Sequence, residues 1–513
     1  MNPLFTVYLR SHHFLVRTTE VRAKVLCREF CHRFIHEKLA PSQGTLIKVK
    51  GDTFAAADLP RVHWRFHINV WQEFLDYLKG QGISESIYQI FREPNTTPVT
   101  EEFRVRPEYT PRDYQVPYIA YLSKKDSTPS RLIGLQPGDG KGIISMFAMQ
   151  AHQSRTLISV LPMYMGKWKD ELIEKMHLTE QDICLISGEG KLLKLLAARE
   201  QELQGGPKIP KVIIISNRTW GLWLDLYMKE GEAIRQKGYP CTPDNFLGYL
   251  GVGLKIVDEV HQHFHSHFLT DLHTHGPICI NLSATLISKD KFLMRMYEVM
   301  FPVDWRIANR EISKYVNLLA LHYRMARPDQ VRYNERGSSM YSHNAFEEYL
   351  MKNKKALGNY VRMIKEWVDK TYVSHPRPKK RCIVFVRRVD FAELCSAKFK
   401  ELYPELNIGV FAADYPIENL MGSDTCFTTL GSAGTARDIP DLVAVIMTQA
   451  VGSWQSNIQA VGRLRRLADN PDVNFVYFVC DDIPAHLAYH KEKRLLFADR
   501  AKAHWDEYHS EPI

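Results

Sequence analysis

RLIGLQPGDGKGIISMFAMQAH, residues 131–152, decides the fold. A short aliphatic run from Arg131 to Leu135 gives way to a glycine-rich turn, Gly138-Asp139-Gly140-Lys141-Gly142, and then to a helix-forming stretch. A strand that turns through glycines into a helix points backbone N–H groups at the helix N-terminus, where an anion is favoured. Lys141 adds a cation at the same place. These residues alone fit a phosphate cradle or a plain strand–turn–helix connection. The surrounding sequence decides between them.

Working outward, aliphatic runs alternate with longer amphipathic stretches: RLIGL, TLISVL, KVIIIS, LKIVD and ICINLS, then RCIVFV, NIGVFAA, DTCFTTL, LVAVIMT and NFVYFV. Such alternation predicts parallel sheets wrapped by helices, here as two series in tandem joined between about Arg306 and Arg381. Before them, residues 1–107 mix strand-like runs (FLVRT, TLIKV) with helical ones (VRAKVLCREFCHRFIHEKL, VWQEFLDYLKGQG) and end in a linker rich in Pro, Thr and charge. The expected architecture is α/β: a small α+β domain over 1–107, then lobes over 108–308 and 309–513.

The 513 residues are too many for one ordinary core. Hydrophobic residues make up 45% and charged residues 24%, a globular composition that argues against extensive disorder. The formal net charge of +9 favours a polyanionic partner, although solubility alone explains it equally well. Nine unpatterned cysteines suit a reducing compartment. No apolar run is long enough for a membrane span, and the N-terminal MNPLFTVYLRSHHF lacks a secretory core. A soluble, cytoplasmic protein is expected, in the host cytoplasm if the source is viral.

Two further strand ends carry chemistry. Ile256-Val257-Asp258-Glu259-Val260-His261 ends an apolar run in adjacent carboxylates. Asp258 suits Mg2+, bound through a water, and Glu259 is placed to polarise a water attacking a γ-phosphate. An acidic pair after a strand is also common in loops. Asn281-Leu282-Ser283-Ala284-Thr285 closes the next strand, where hydroxyls can sense those carboxylates or simply form a turn. In the second series, Gln459-Ala460-Val461-Gly462-Arg463-Leu464-Arg465-Arg466 places Gln459, Arg463 and Arg466 at near-helical intervals. Planar guanidinium groups stabilise charge on a transferring phosphoryl group, whereas a lone basic helix is usually a solvated face.

Taken in order, the lysine-bearing loop, Asp258-Glu259-x-His261, Ser283-Ala284-Thr285 and Gln459-x-x-Gly462-Arg463-x-x-Arg466 resemble superfamily 2 (DExH-type) helicases. The resemblance spans about residues 108 to 490 and implies two RecA-like lobes that hydrolyse ATP with Mg2+ on nucleic acid. It also covers Arg112-Asp113-Tyr114-Gln115, where Gln115 would read the base, and Gly138, Asp139, Gly140, Lys141 and Gly142 as the phosphate loop. Asp438 would lie near the ribose. Pro162, Asn217, Thr219, Arg387 and Thr429 would meet nucleic-acid phosphates, the first in a segment continuing to Trp168 and Glu171. His261, Ser283 and Thr285 would couple the carboxylates to the other lobe. Gly142 stands where Ser or Thr usually offers magnesium a hydroxyl, Leu135 where a small residue is usual, and Ala436 where glycine is usual.

The N-terminal hundred residues place basic groups beside aromatics, as in His63-Trp64-Arg65-Phe66-His67, fit either for phosphates and bases or for an ordinary core. Their arrangement is similar to bacteriophage branch-migrating helicases. That similarity implies an ATP-dependent DNA helicase or translocase acting on single-stranded or branched DNA, forks, junctions or RNA–DNA hybrids, with replication or recombination proteins as partners. An RNA helicase, a catalytically weak nucleotide switch and the motor of a restriction system are the alternatives. Cys27, Cys31, His32 and His36, and the histidines of 261–267, suit core packing and loop positions better than a metal.

Overall fold

The computed structural model describes residues 3–42, 45–58, 61–135, 139–276, 278–283, 290–307, 314–335, 339–374, 380–412, 415–433, 439–465 and 473–513. Chain contacts divide it into two compact units, Met1–Asn309 and Arg310–Ile513.

Each unit holds a seven-stranded, wholly parallel sheet. In the first the spatial order is Ile183–Ile186, Val212–Ser216, Thr156–Val160, Leu254–Val257, Ile278–Ser283, Ser130–Gly134, Arg306–Ile307. In the second it is Ile408–Phe411, Thr425–Thr429, Arg381–Val386, Leu442–Met447, Val473–Cys480, Val316–Tyr323, Ala503–Tyr508. Numbered by chain position within each unit, both read third, fourth, second, fifth, sixth, first, seventh. The fold is two tandem RecA-like parallel-sheet units with a small mixed N-terminal sheet.

Continuous aliphatic runs become central strands because helices cover both faces of a parallel sheet. In the second unit Leu319, Leu321, Val384, Ile446 and Phe478 serve one core layer, and Leu318, Ala320, Phe385, Val445 and Tyr477 the other. The strand-like runs read from the sequence account for five strands per sheet. Strands Ile183–Ile186, Arg306–Ile307, Val316–Tyr323 and Ala503–Tyr508 were not among them. No helix among the described residues is long and apolar enough to cross a membrane.

The N-terminal sheet runs Ala56–Ala57, His63–His67, His13–Arg17, Thr6–Leu9, Gln89–Arg92 and packs on helices Val21–His32 and Trp71–Gly80. Helix Val21–His32 stops short of the longer helical stretch expected there, because the chain turns at Phe34 into the hairpin Ile35–Ser42/Thr45–Thr53. Phe34 is buried among Phe30, Phe54 and Phe66.

Of the two readings left open for His63–His67, burial favours the core: Trp64, Arg65, Phe66 and His67 are all buried. Arg65 donates to Asp244 at 2.6 Å, and His273 Nδ1 and the Tyr227 hydroxyl reach the same carboxylate at 2.8 and 3.2 Å. The guanidinium, with the neighbouring histidines, holds Asp244 well below the usual carboxylate range despite its burial. This strand therefore docks the N-terminal layer onto residues 244–273 of the same unit. Cys27 is likewise a core side chain, its thiol pushed up to about 12 by burial, while His32 is exposed.

Candidate nucleotide site

The first unit's site sits at the C-terminal ends of three adjacent strands, Leu254–Val257, Ile278–Ser283 and Ser130–Gly134, where open parallel sheets present ligand chemistry. Helix Lys141–His152 begins there, capped by Gly140 at φ +83°. Glycine is needed at 140 twice over. The left-handed φ excludes most side chains, and a Cβ would come within 2.5 Å of Gln115 Nε2. Gln115 is buried: its Oε1 accepts the Arg112 N–H at 3.0 Å and its Nε2 donates to the Asp139 carbonyl at 3.0 Å. The Tyr114 hydroxyl donates to that carbonyl at 3.1 Å. In this arrangement Gln115 holds the loop by its backbone.

Lys141 Nζ lies 2.8 Å from Glu259 Oε1. Glu259 has a positive φ of 48°, a turn conformation that costs a non-glycine residue energy and swings its carboxylate back toward the loop. Asp258 Oδ1 accepts the Glu259 N–H at 2.9 Å, and Oδ2 accepts the Trp168 indole N–H at 2.8 Å. Enclosure, then the charge of Glu259, raises the Asp258 carboxyl to about 6. His261 Nδ1 lies 2.9 Å from Ser283 Oγ and 3.3 Å from Glu259 Oε2. Burial lowers this imidazole to about 4, so it is neutral at pH 7. Lys141, Asp258, Glu259, His261 and Ser283 thus form one connected group.

Gly142 faces Glu171: a Cβ there would stand 3.1 Å from Glu171 Oε2, which accepts from Lys175 at 2.9 Å. Helix Met165–Lys175 therefore turns one face to the site, with Trp168 on Asp258 and Glu171 beside Gly142, three residues apart. The roles of Trp168 and Tyr114 were not read from the sequence. The i, i+3 spacing of Trp168 and Glu171 was the signal available for the first, and nothing local marked the second.

Of the residues read as phosphate contacts, Pro162 is exposed and opens a 3-10 turn, and Asn217 is half-buried at the start of helix Asn217–Glu230. Thr219 is buried, and its hydroxyl accepts the Gly188 N–H at 2.8 Å.

In the second unit, Arg387 is exposed, and the backbone N–H groups of Arg387 and Arg388 donate to the buried Glu347 carboxylate at 2.7 and 2.8 Å. Thr429 Oγ1 caps the short helix Leu430–Ala433 by accepting the Ser432 N–H at 3.2 Å. Helix Trp454–Val461 carries Gln459 and is capped by Gly462, so Arg463 sits in the following turn and the helical spacing does not continue to it. There the Arg463 N–H donates to the Ala460 carbonyl at 3.3 Å. Gly138, Thr285, Asp438 and Arg466 lie outside the described residues.

The residues present fit a magnesium nucleotide. A helix N-terminus with a cation suits phosphate, and the carboxylate oxygens of Asp258 and Glu259 are hard donors of the kind magnesium takes.

No family model matches the chain, and no curated protein does. Among solved structures the chain is similar to the Pyrococcus furiosus Hef helicase domain, with 13% identity and a TM-score of 0.42 over 75% of this chain and 98% of that one. It is also similar to the Mycobacterium smegmatis helicase Lhr bound to ssDNA and AMP-PNP, with 15% identity and a TM-score of 0.45 over 76% of this chain and 48% of that one. Both likenesses are weak, and what this chain does has to be read from its side chains.

Proposed function

We propose that this protein is an ATP-dependent DNA helicase or translocase of the superfamily 2, DExH type, acting on single-stranded or branched DNA in replication or recombination. The observation that carries this reading is the connected group Lys141, Glu259, Asp258, His261 and Ser283 at adjacent strand ends beside a glycine-capped helix.

Lys141 leaves Glu259 for the β- and γ-phosphates, and the freed Glu259 carboxylate orients the attacking water. Asp258, held by Trp168, would hold magnesium through a water, and the ion would supply positive charge to the phosphates. Neutral His261 bridges Glu259 and Ser283 and so passes the state of the carboxylate to the strand end at Ser283. Arg463, together with Arg466 and Gln459, supplies guanidinium and amide donors to the transferring phosphoryl group. Pro162, Asn217, Thr219, Arg387 and Thr429 are the proposed contacts to the nucleic-acid backbone.

The test is an ATPase panel with single-stranded DNA, duplex DNA, forked DNA and RNA, on the wild type and on Lys141→Ala. DNA-stimulated turnover that Lys141→Ala abolishes is expected. Stimulation by RNA alone would assign an RNA helicase, and no turnover on any polynucleotide would leave a nucleotide-switched binding protein.

A further inference from the structure

His322 is the penultimate residue of strand Val316–Tyr323 and its ring is buried, only 6% exposed. Its Nδ1 is anchored by Asp481 Oδ1 at 2.6 Å, which leaves Nε2 as the lone-pair nitrogen. That Nε2 has no hydrogen-bond partner and faces Asp506 Oδ1 at 3.6 Å, an oxygen that also has none. His490, on helix Pro484–Phe497, brings its Nε2 to 3.7 Å from the same oxygen while its Nδ1 is held by the Tyr477 hydroxyl at 2.9 Å. The other oxygen of Asp506 accepts from Arg494 at 2.5 Å. The three inward-facing atoms all lie within 4.8 Å of one another.

We propose that His322, His490 and Asp506 form a binding site for a zinc-type divalent metal ion. Four ligands at about 2.0–2.1 Å around a tetrahedral ion stand about 3.4 Å apart, so the separations of 3.6 and 3.7 Å from Asp506 need only a small contraction, and the two imidazole nitrogens, within 4.8 Å of each other, would draw together on the ion. His322 has its far nitrogen fixed by the Asp481 carboxylate, the outer support that sets the tautomer of a ligating imidazole, and the far nitrogen of His490 meets the Tyr477 hydroxyl, which also reaches His504 Nε2 at 2.8 Å. Two nitrogens and one carboxylate suit zinc rather than magnesium or calcium, which take oxygen. Asp506 is partly exposed, which gives an entry path and leaves the fourth position to water. The ion would pin helix Pro484–Phe497 and edge strand Ala503–Tyr508 to strand Val316–Tyr323.

The second cluster, His12, Asp271 and Cys279, is buried throughout and differs. Burial pushes the Cys279 thiol there up to about 12, away from the thiolate that a metal takes.

The experiment titrates chelator-stripped, full-length protein with Co2+, followed by visible absorption, then displaces it with Zn2+ while melting temperature is recorded. One equivalent of tetrahedral Co2+ without a thiolate charge-transfer band is expected, with a rise in melting temperature on adding Zn2+. His490→Ala and Asp506→Asn should each weaken binding at least about 100-fold, and Cys279→Ser should leave it unchanged. His490→Gln removes the ligating nitrogen conservatively and takes the place of His490→Ala if that variant does not fold. Absence of a Co2+ spectrum, a thiolate band, or binding that survives both substitutions would overturn the site.

Discussion

Strand Ser130–Gly134 of the first unit and strand Val316–Tyr323 of the second hold the same place in the same strand order. Beyond Gly134 the first unit continues into a glycine-rich loop and the helix that starts at Lys141. The second ends its strand in His322 and Tyr323, with Asp481 and Asp506 around the imidazole. The next-but-one strands differ as well. Leu254–Val257 is followed by Asp258 and Glu259, whereas Leu442–Met447 is followed by Thr448, whose hydroxyl donates to the Phe385 carbonyl at 2.9 Å, and Gln449. One backbone plan therefore serves two chemistries. The lysine, the glycine-rich stretch and the paired carboxylates occur together in the first unit's sequence, so a single nucleotide site is expected per chain; the second unit carries Arg463 just beyond the helix Trp454–Val461.

Arg463→Ala should break this division of labour most severely. If the second unit supplies a catalytic guanidinium, turnover falls by about 10³-fold or more while nucleotide affinity holds. Near-normal ATPase rates, measured alongside binding of a fluorescent nucleotide, would remove Arg463 from the chemistry. Glu259→Gln keeps the side-chain shape and the Lys141 contact but removes the base, and should cost about 10²- to 10⁴-fold in turnover. An unchanged single-turnover rate would shift the base elsewhere. Trp168→Phe deletes one hydrogen bond to a carboxylate, a loss of about 1.5–3 kcal/mol where the group is charged. It should appear as a tenfold or larger rise in the magnesium concentration needed for half-maximal turnover. A metal dependence like that of the wild type would mean that Asp258 is oriented without the indole.

Lys493 distinguishes the second unit by pH. It is buried, donates to the Val451 carbonyl at 3.1 Å, and burial lowers its ammonium to about 7. The folded chain sheds this proton near 7 while the unfolded chain keeps it to the ordinary lysine range. Unfolded chains therefore bind more protons in that window, and stability should rise with pH by up to about 1.4 kcal/mol per unit. Lys493→Met should flatten that slope in urea melts at pH 7, 8 and 9. An unaltered slope would show that Lys493 is charged in the fold. The smallest effect is expected at Gly142→Thr. The added side chain meets the mobile end of Glu171, which must give by a few tenths of an ångström. Magnesium use should tighten a few-fold, because the restored hydroxyl is a ligand of the usual kind. A looser dependence would mean that the displaced Glu171 mattered more than the hydroxyl gained.

The central strands were legible because a parallel strand covered on both faces must be aliphatic throughout, as in KVIIIS and RCIVFV. The four unread strands lack that simplicity. Arg306–Ile307 is two residues long, Ala503–Tyr508 reads AHWDEY, and Val316–Tyr323 ends in His322. The site's residue types and order could be read locally because phosphate loops and strand-end carboxylates are short-range patterns. Trp168 on Asp258, Tyr114 on Asp139 and Glu347 under Arg387 join residues 90, 25 and 40 positions apart, and no local pattern records such pairs.

By itself, the sequence determined two parallel-sheet units and the position of the lysine-bearing turn and the Asp258-Glu259 pair, since hydrophobic periodicity and glycine geometry act over a few residues. Only the tertiary structure decided that Arg65 is buried against Asp244, that the helix ahead of Arg463 ends at Val461, and that His322, His490 and Asp506 converge. Burial and convergence depend on which distant segments pack together, and the pairing of sheet strands sets that.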